Sequence, residues 1–83
     1  MVLHVYSLRK PVFNKEAKAV NVKTAMGELT ILSNHRPLIT LLEKGPIKVT
    51  DNNDKEHVIE ATGGFIEVLP AAKLGGEVNI LVD

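Results

Sequence analysis

The sequence predicts an all-β domain, a sandwich or barrel of short antiparallel strands, on three observations. Apolar residues nowhere repeat with a helical period; instead, short segments rich in Val and Ile recur, each closed after six to ten residues by Gly, Pro, Asn or Asp. Turn-forming groups, Met26-Gly27, Asp51-Asn52-Asn53-Asp54 and Gly75-Gly76, each separate two apolar runs and favour tight reversal between antiparallel neighbours. Pro11, Pro37, Pro46 and Pro70 fall at the starts or ends of these runs, where a missing amide donor costs no ladder bond.

In chain order, strands are expected over 2–7, 11–14, 17–23, 28–32, 38–42, 46–50, 56–61, 64–69 and 77–82. Two of them alternate cleanly. Val20 and Val22 are offset by Asn21 and Lys23, and Ile47 and Val49 by Lys48 and Thr50, the pattern of strands with one solvated face. Three others are apolar on both faces. Leu38, Ile39, Leu41 and Leu42 fill both sides of one strand; Phe65 and Leu69 oppose Ile66 and Val68 in another; Leu3 and Val5 oppose Val2 and Tyr6 in the first. With no helix of its own to lay over a second apolar face, the chain must either close its sandwich edges locally or take a partner on a sheet face. Surface scaling gives about 4,900 Å² for a globule of this mass. A standard interface takes about 800 Å² from each side, so two docked partners would still leave most of the surface wet.

Composition bounds the function. The 83 residues are enough for one domain spanning the whole chain, with a thin core. Without cysteine there is neither a disulfide framework nor a thiolate zinc site. Ten basic against ten acidic side chains leave no surplus to attract phosphates, so nucleic-acid binding is not expected. The longest mostly apolar stretch, residues 37–42, is far short of the roughly 20 residues of a spanning helix, and no signal peptide opens the chain. A cytosolic setting without membrane insertion is expected. Charge is polarised along the chain: residues 1–41 carry six basic and two acidic side chains, residues 42–83 four and eight. Either the halves pair across strands or the surface is polarised to orient docking.

Catalytic chemistry is hard to find. His4, His35 and His57 make no ligand-spaced set, so no metal site is expected. No serine lies in a nucleophile elbow, and neither Gly63-Gly64 nor Gly75-Gly76 belongs to a phosphate-cradling motif, so no cofactor is expected either. Those glycines instead suit backbone of positive φ or close strand packing. The most individual segment is 27–46, GELTILSNHRPLITLLEKGP. A strand carrying Leu29 and Ile31 enters the loop Ser33-Asn34-His35-Arg36, and Pro37 forces Arg36 into an extended conformation, so the loop presents His35 and Arg36 rigidly. Glu28 stands beside the Met26-Gly27 turn. On composition alone these are solvated turn residues.

The combination of GELTILSNHRPL, LEKGP, TGGFIEV, VNILVD and an opening LHVYS resembles the epsilon subunit of the bacterial and plastid F-type ATP synthase, called delta in mitochondria. The similarity covers essentially the whole chain. It implies a flattened antiparallel β-sandwich of about ten short strands, a non-catalytic rotor subunit that links the gamma shaft to the ring of c subunits in the central stalk and supports coupling of proton flow to ATP synthesis. Its implied place is peripheral, on the cytoplasmic face of the bacterial inner membrane or the stromal equivalent. By position, Glu28 matches an acid on the c-ring side, and Ser7, His35 and Thr40 match positions near gamma, with Arg36 and Leu38 assigned to the same side. Family members usually continue as an inhibitory two-helix hairpin; the chain stops at Asp83, so that role is not expected of these residues. The competing readings are a free-standing sandwich that binds a small ligand, for which only Tyr6, Phe13 and Phe65 offer stacking surfaces, and a metal-dependent hydrolase using the histidines.

Overall fold

A strand of 14 residues dominates the architecture. The computed structural model describes residues 1–7, 11–69 and 76–83, and in it the chain forms β1 (Val2–Ser7), β2 (Pro11–Thr24), β3 (Gly27–Leu32), β4 (Leu38–Leu42), β5 (Gly45–Asp51), β6 (Glu56–Ala61), β7 (Gly64–Leu69) and β8 (Glu77–Val82). Fully extended, β2 would run about 46 Å, longer than the 29 Å of the molecule's longest axis. It therefore bends, and two register irregularities mark where: opposite Val5 and Tyr6 of β1, and between Ala17 and Ala19 against β5.

The bend lets one strand serve two layers. Residues 11–16 of β2 pair with β1, which leads through β8 and β7 to β4. Residues 17–24 pair with β5 on one side and β3 on the other, and β6 closes that layer beyond β5. Thr24 opposite Leu42 ties β4 back to β2. All pairings among the described residues are antiparallel except β1 with β8, which brings the two ends of the chain side by side in parallel. The strands expected over 11–14 and 17–23 are thus one strand, and the described residues hold eight strands rather than about ten. The cause is the bend: Lys15 and Glu16 are both exposed there, which interrupts the alternation without interrupting the pairing. Pro70 and Gly75 lie outside the described residues.

Inward side chains of both layers merge into a single buried cluster. Leu3, Val5, Ile66, Val68, Val78 and Ile80 come from the β1–β8–β7 layer, and Val20, Val22, Ile31, Ile47 and Val49 from the β3–β2–β5 layer. The opposite-charged halves of the sequence interleave, since β1 pairs β8, β4 pairs β7 and β2 pairs β5; Lys18 Nζ, 2.6 Å from Asp54 Oδ1, is an ion pair across that seam. Cross-strand pairing thus accounts for part of the polarised charge.

The β5–β6 turn is held by one carboxylate. Asp51 accepts hydrogen bonds from the backbone amides of Asn53 (2.8 Å) and Lys55 (3.0 Å) and from His57 Nε2 (2.9 Å). Asp54 takes the left-handed conformation that the tight return requires, at φ 63°. The imidazole bond first, then the amides, hold the Asp51 carboxyl at a pKa of about 2 against a burial effect that would raise it.

Candidate functional site

The outward side chains of the two layers differ in kind. On the β3–β2–β5–β6 layer, Thr30, Asn21 and Lys48 stand in a row, with Asn21 Nδ2 donating to Thr30 Oγ1 at 2.9 Å; exposed Val58 lies opposite Lys48, and exposed Leu32 opposite the small Ala19. On the other layer the ladders set Leu41 opposite Phe65, Phe65 opposite Leu81, and Leu81 beside Tyr6. This is an unbroken apolar row across four strands, with Ile39 and Leu69 on its flank. Ile39 and Leu41 are 72% and 70% exposed, and Phe65, Leu81 and Tyr6 between 38% and 41%. β4 makes this possible because it alternates: Leu42 is buried, Leu38 and Thr40 are half-buried, and Ile39 and Leu41 face out. Isolated exposed apolar residues are ordinary on a protein surface, but a contiguous row of four with apolar flanks marks a place where something packs.

The residues singled out from the sequence fall mostly elsewhere. Glu28, His35, Leu38 and Thr40 share one cleft of about 290 Å³, between the start of β3 and the first half of β4, where the two layers are not bridged. Glu28 sits at its rim, exposed and opposite Lys23 of β2. Nearby, Thr24 staples the hairpin tip, its hydroxyl donating to Gly27 O at 2.9 Å and accepting from the Met26 amide at 3.2 Å. Met26 at that tip is almost wholly exposed. His35 reaches the cleft from a turn closed by its amide donating to Leu32 O (3.2 Å), with Asn34 left-handed at φ 64°. Its Nδ1–H donates to Arg36 O at 2.8 Å, which fixes the ring against the loop. Leu38 packs against the core. Arg36 is exposed and does not line the cleft, and Ser7 ends β1 opposite Val82, half-buried. The acid assigned to one partner and three residues assigned to the other thus meet at one cleft, which is at the small end of ligand-pocket sizes.

Sequence reasoning reached most of the apolar row by noting strands apolar on both faces, but missed Leu81, whose strand it did not mark as two-sided. Among the described residues no cluster of three His, Asp or Glu side chains could hold a metal, and no helix is long and apolar enough to cross a membrane.

These observations define a β-sandwich domain with one polar and one apolar outer face. The chain belongs to the family described as ATP synthase, Delta/Epsilon chain, beta-sandwich domain, whose profile matches residues 1–83. It is 39% identical over 70 residues to the ATP synthase epsilon chains of Acinetobacter baylyi and Acinetobacter baumannii, an overlap of 84% of this chain and 50% of each relative. The chain therefore spans half the length of these curated relatives. Its fold is similar to a chain of the Euglena gracilis mitochondrial ATP synthase structure containing OSCP, F1 and the c-ring (TM-score 0.87, 22% identity, 99% of this chain and 49% of that one). It is also similar to a chain of the central stalk and c-ring structure of the Tetrahymena thermophila mitochondrial ATP synthase (TM-score 0.77, 20% identity, 99% and 62%).

Proposed function

We propose that this domain is a non-catalytic rotor component of a proton-translocating F-type ATP synthase, seated in the central stalk between the gamma shaft and the c-ring. The observation that carries this reading is the row Leu41–Phe65–Leu81–Tyr6, an apolar strip on a body with no helix among its described residues to cover it. The gamma shaft docks on this face. The cleft at β3 and β4 forms a second contact: its His35, Leu38 and Thr40 lie towards gamma, as do Arg36 and Ser7 outside it, while Glu28 and the Met26 hairpin tip face the c-ring. The domain is held peripherally at the membrane through the complex, on the cytoplasmic or stromal face. Names and architectures of relatives support this placement, and so does the mechanics. Each proton crossing delivers about 2.3 kcal/mol per 100 mV, and a coupling element that bears such loads needs a stiff sheet with an adhesive face, not a nucleophile.

The test is binding of the chain to purified gamma subunit by calorimetry. Leu41→Asp places a charge in the contact and should weaken binding about 100-fold, while the melting temperature stays nearly unchanged because Leu41 is 70% exposed and outside the buried cluster. Unchanged affinity for gamma would sink the docking reading. Reversing Glu28 to Lys should impair coupling in the assembled enzyme; normal proton pumping would remove Glu28 from the c-ring contact.

A further inference from the structure

One step along the strands from the apolar row, the same ladders place Glu67 of β7, Asn79 of β8 and His4 of β1 side by side next to Ile39. Glu77, two residues before Asn79 on the same face of β8, lies beside Leu69 and Val2. A polar quartet is therefore set into an otherwise apolar face. Its internal bonding is incomplete. Asn79 Nδ2 donates to Glu67 Oε1 at a long 3.4 Å, and His4 Nε2 is 3.8 Å from Glu77 Oε2. His4 stacks on Tyr6 with ring centroids 5.9 Å apart, and its Nδ1 is buried without a hydrogen-bond partner. Both glutamates are half-buried, and among the described residues no lysine or arginine forms an ion pair with either. As diagonal neighbours on adjacent strands their Cα atoms are about 7–8 Å apart, near enough for one cationic group to reach both carboxylates.

Covering this face raises the stakes. Docking an apolar surface over the row removes water from Glu67 and Glu77 as well, and with only the long Asn79 bond to Glu67 and His4 at 3.8 Å from Glu77 their charges oppose binding unless the incoming surface supplies a counter-charge. We propose that the outer face of β4, β7, β8 and β1 takes a protein element that is apolar along the Leu41–Tyr6 row and carries one basic side chain, an arginine, seated between Glu67 and Glu77. The proposal rests on the docking reading above and names the chemistry the partner must bring. Arginine fits better than lysine because its planar fork offers five N–H donors, enough for both carboxylates and the Asn79 amide oxygen at once, whereas an ammonium is a point charge. An anionic lipid or nucleic acid would set phosphate against carboxylate. A second copy of this chain would bring the same two glutamates to the contact, so the occupant is a different chain.

The full chain is titrated against purified gamma subunit at low and at moderate salt, using Glu67→Gln, Glu77→Gln, the double variant, Leu41→Asp and Val58→Asp. Each single amide should weaken binding about tenfold and the pair about 100-fold, and the double variant should lose most of the wild-type salt dependence. Alanine replacement of gamma's basic residues one at a time should find a single position whose loss adds little in the double-variant background, the non-additivity of groups in direct contact. Wild-type affinity for the double variant, with Leu41→Asp defective, overturns the arginine seat and leaves the docking reading intact. If Leu41→Asp binds normally too, the docking reading itself has failed. Sedimentation showing a concentration-dependent dimer of the free chain that Leu41→Asp dissolves would give the face to a second copy and also overturn the proposal.

Discussion

The two layers of this sandwich share a core and even share a strand, yet their outer faces are opposite in character. Outside β3, β2, β5 and β6 the rows are mostly polar, with Val58 opposite Lys48 and Leu32 opposite only the small Ala19. Outside β4, β7, β8 and β1, four apolar side chains run across the strands, one from each, with four polar groups clustered next to them. Folding alone does not need this difference, because the buried cluster is supplied by the inward faces of both layers. Under the proposed docking, the polar layer meets water and the apolar layer meets protein.

Breaking the apolar layer at its tightest point should have the largest effect. Gly64 begins β7 at φ 136°, opposite Val82, and a Cβ there would overlap the backbone carbonyl of Leu81. Gly64→Ala should therefore cost about 3–5 kcal/mol, from backbone strain and overlap together, measured as a lowered urea midpoint, and should disturb the alignment of Phe65 with Leu81. Gly27 gives the contrast. It also has a positive φ, 113°, but nothing lies within 4 Å of its would-be Cβ, so Gly27→Ala should cost only about 1 kcal/mol. Equal losses would mean that strain rather than close strand approach governs both.

A smaller effect sharpens the contrast between faces without any partner. Replacing Ile39 and Leu41 together by Thr should cut the binding of a hydrophobic dye to the free chain by about half, while the same change at Leu32 and Val58 should leave it nearly unchanged. Equal reductions would show that total exposed apolar area, rather than its contiguity, is what distinguishes the layers.

How much of this was legible beforehand follows from what is local. Seven strands fall within a residue of their expected bounds because turn chemistry and apolar runs are properties of neighbouring residues. The exception, β2, needed knowledge of a bend that only the packing of two layers creates. Two-sided strands were visible at Leu38–Leu42, Phe65–Leu69 and Val2–Tyr6. That these three lie in one layer, joined by β8, depends on strand order, which no local pattern carries. The same reason hides the quartet, whose members are 4, 67, 77 and 79 in sequence and adjacent only through register. Leu38 shows the limit within a single strand: the sequence marked both Leu38 and Ile39, and only the pleat decides that Ile39 is the outward one. The bond from His57 to Asp51 was likewise unread, although an aspartate opening an Asp-Asn-Asn-Asp turn is a signal for a side-chain-capped reversal.

Acid should weaken the polar layer selectively. The Asp51 carboxyl sits at about 2 in the fold against 3.8 ordinarily, chiefly through His57 and the Lys55 amide. A lowered folded-state value means that the carboxylate's contribution is fully present above about pH 4 and is lost as pH falls from there through 2. Asp51→Asn should melt below wild type at neutral pH, and the two melting curves should converge between pH 4 and 2. A gap that stays constant across that range would show that the turn is held by geometry and not by the charge.

The smallest effect is expected where two charges lie closest. Lys18 Nζ and Asp54 Oδ1 are 2.6 Å apart, but both side chains are largely exposed, 49% and 75%. In that setting water screens the attraction and fixing two long side chains costs entropy, so Lys18→Ala should change stability by no more than about 0.5 kcal/mol and still less in high salt. Glu67 and Glu77 make no comparably short contact, and their removal is predicted to cost the complex far more, because docking would dehydrate them. Should Lys18→Ala prove as damaging to gamma binding as Glu67→Gln, burial on docking could not be what separates the two sites, and the contrast between a wet layer and a covered one would lose its energetic basis.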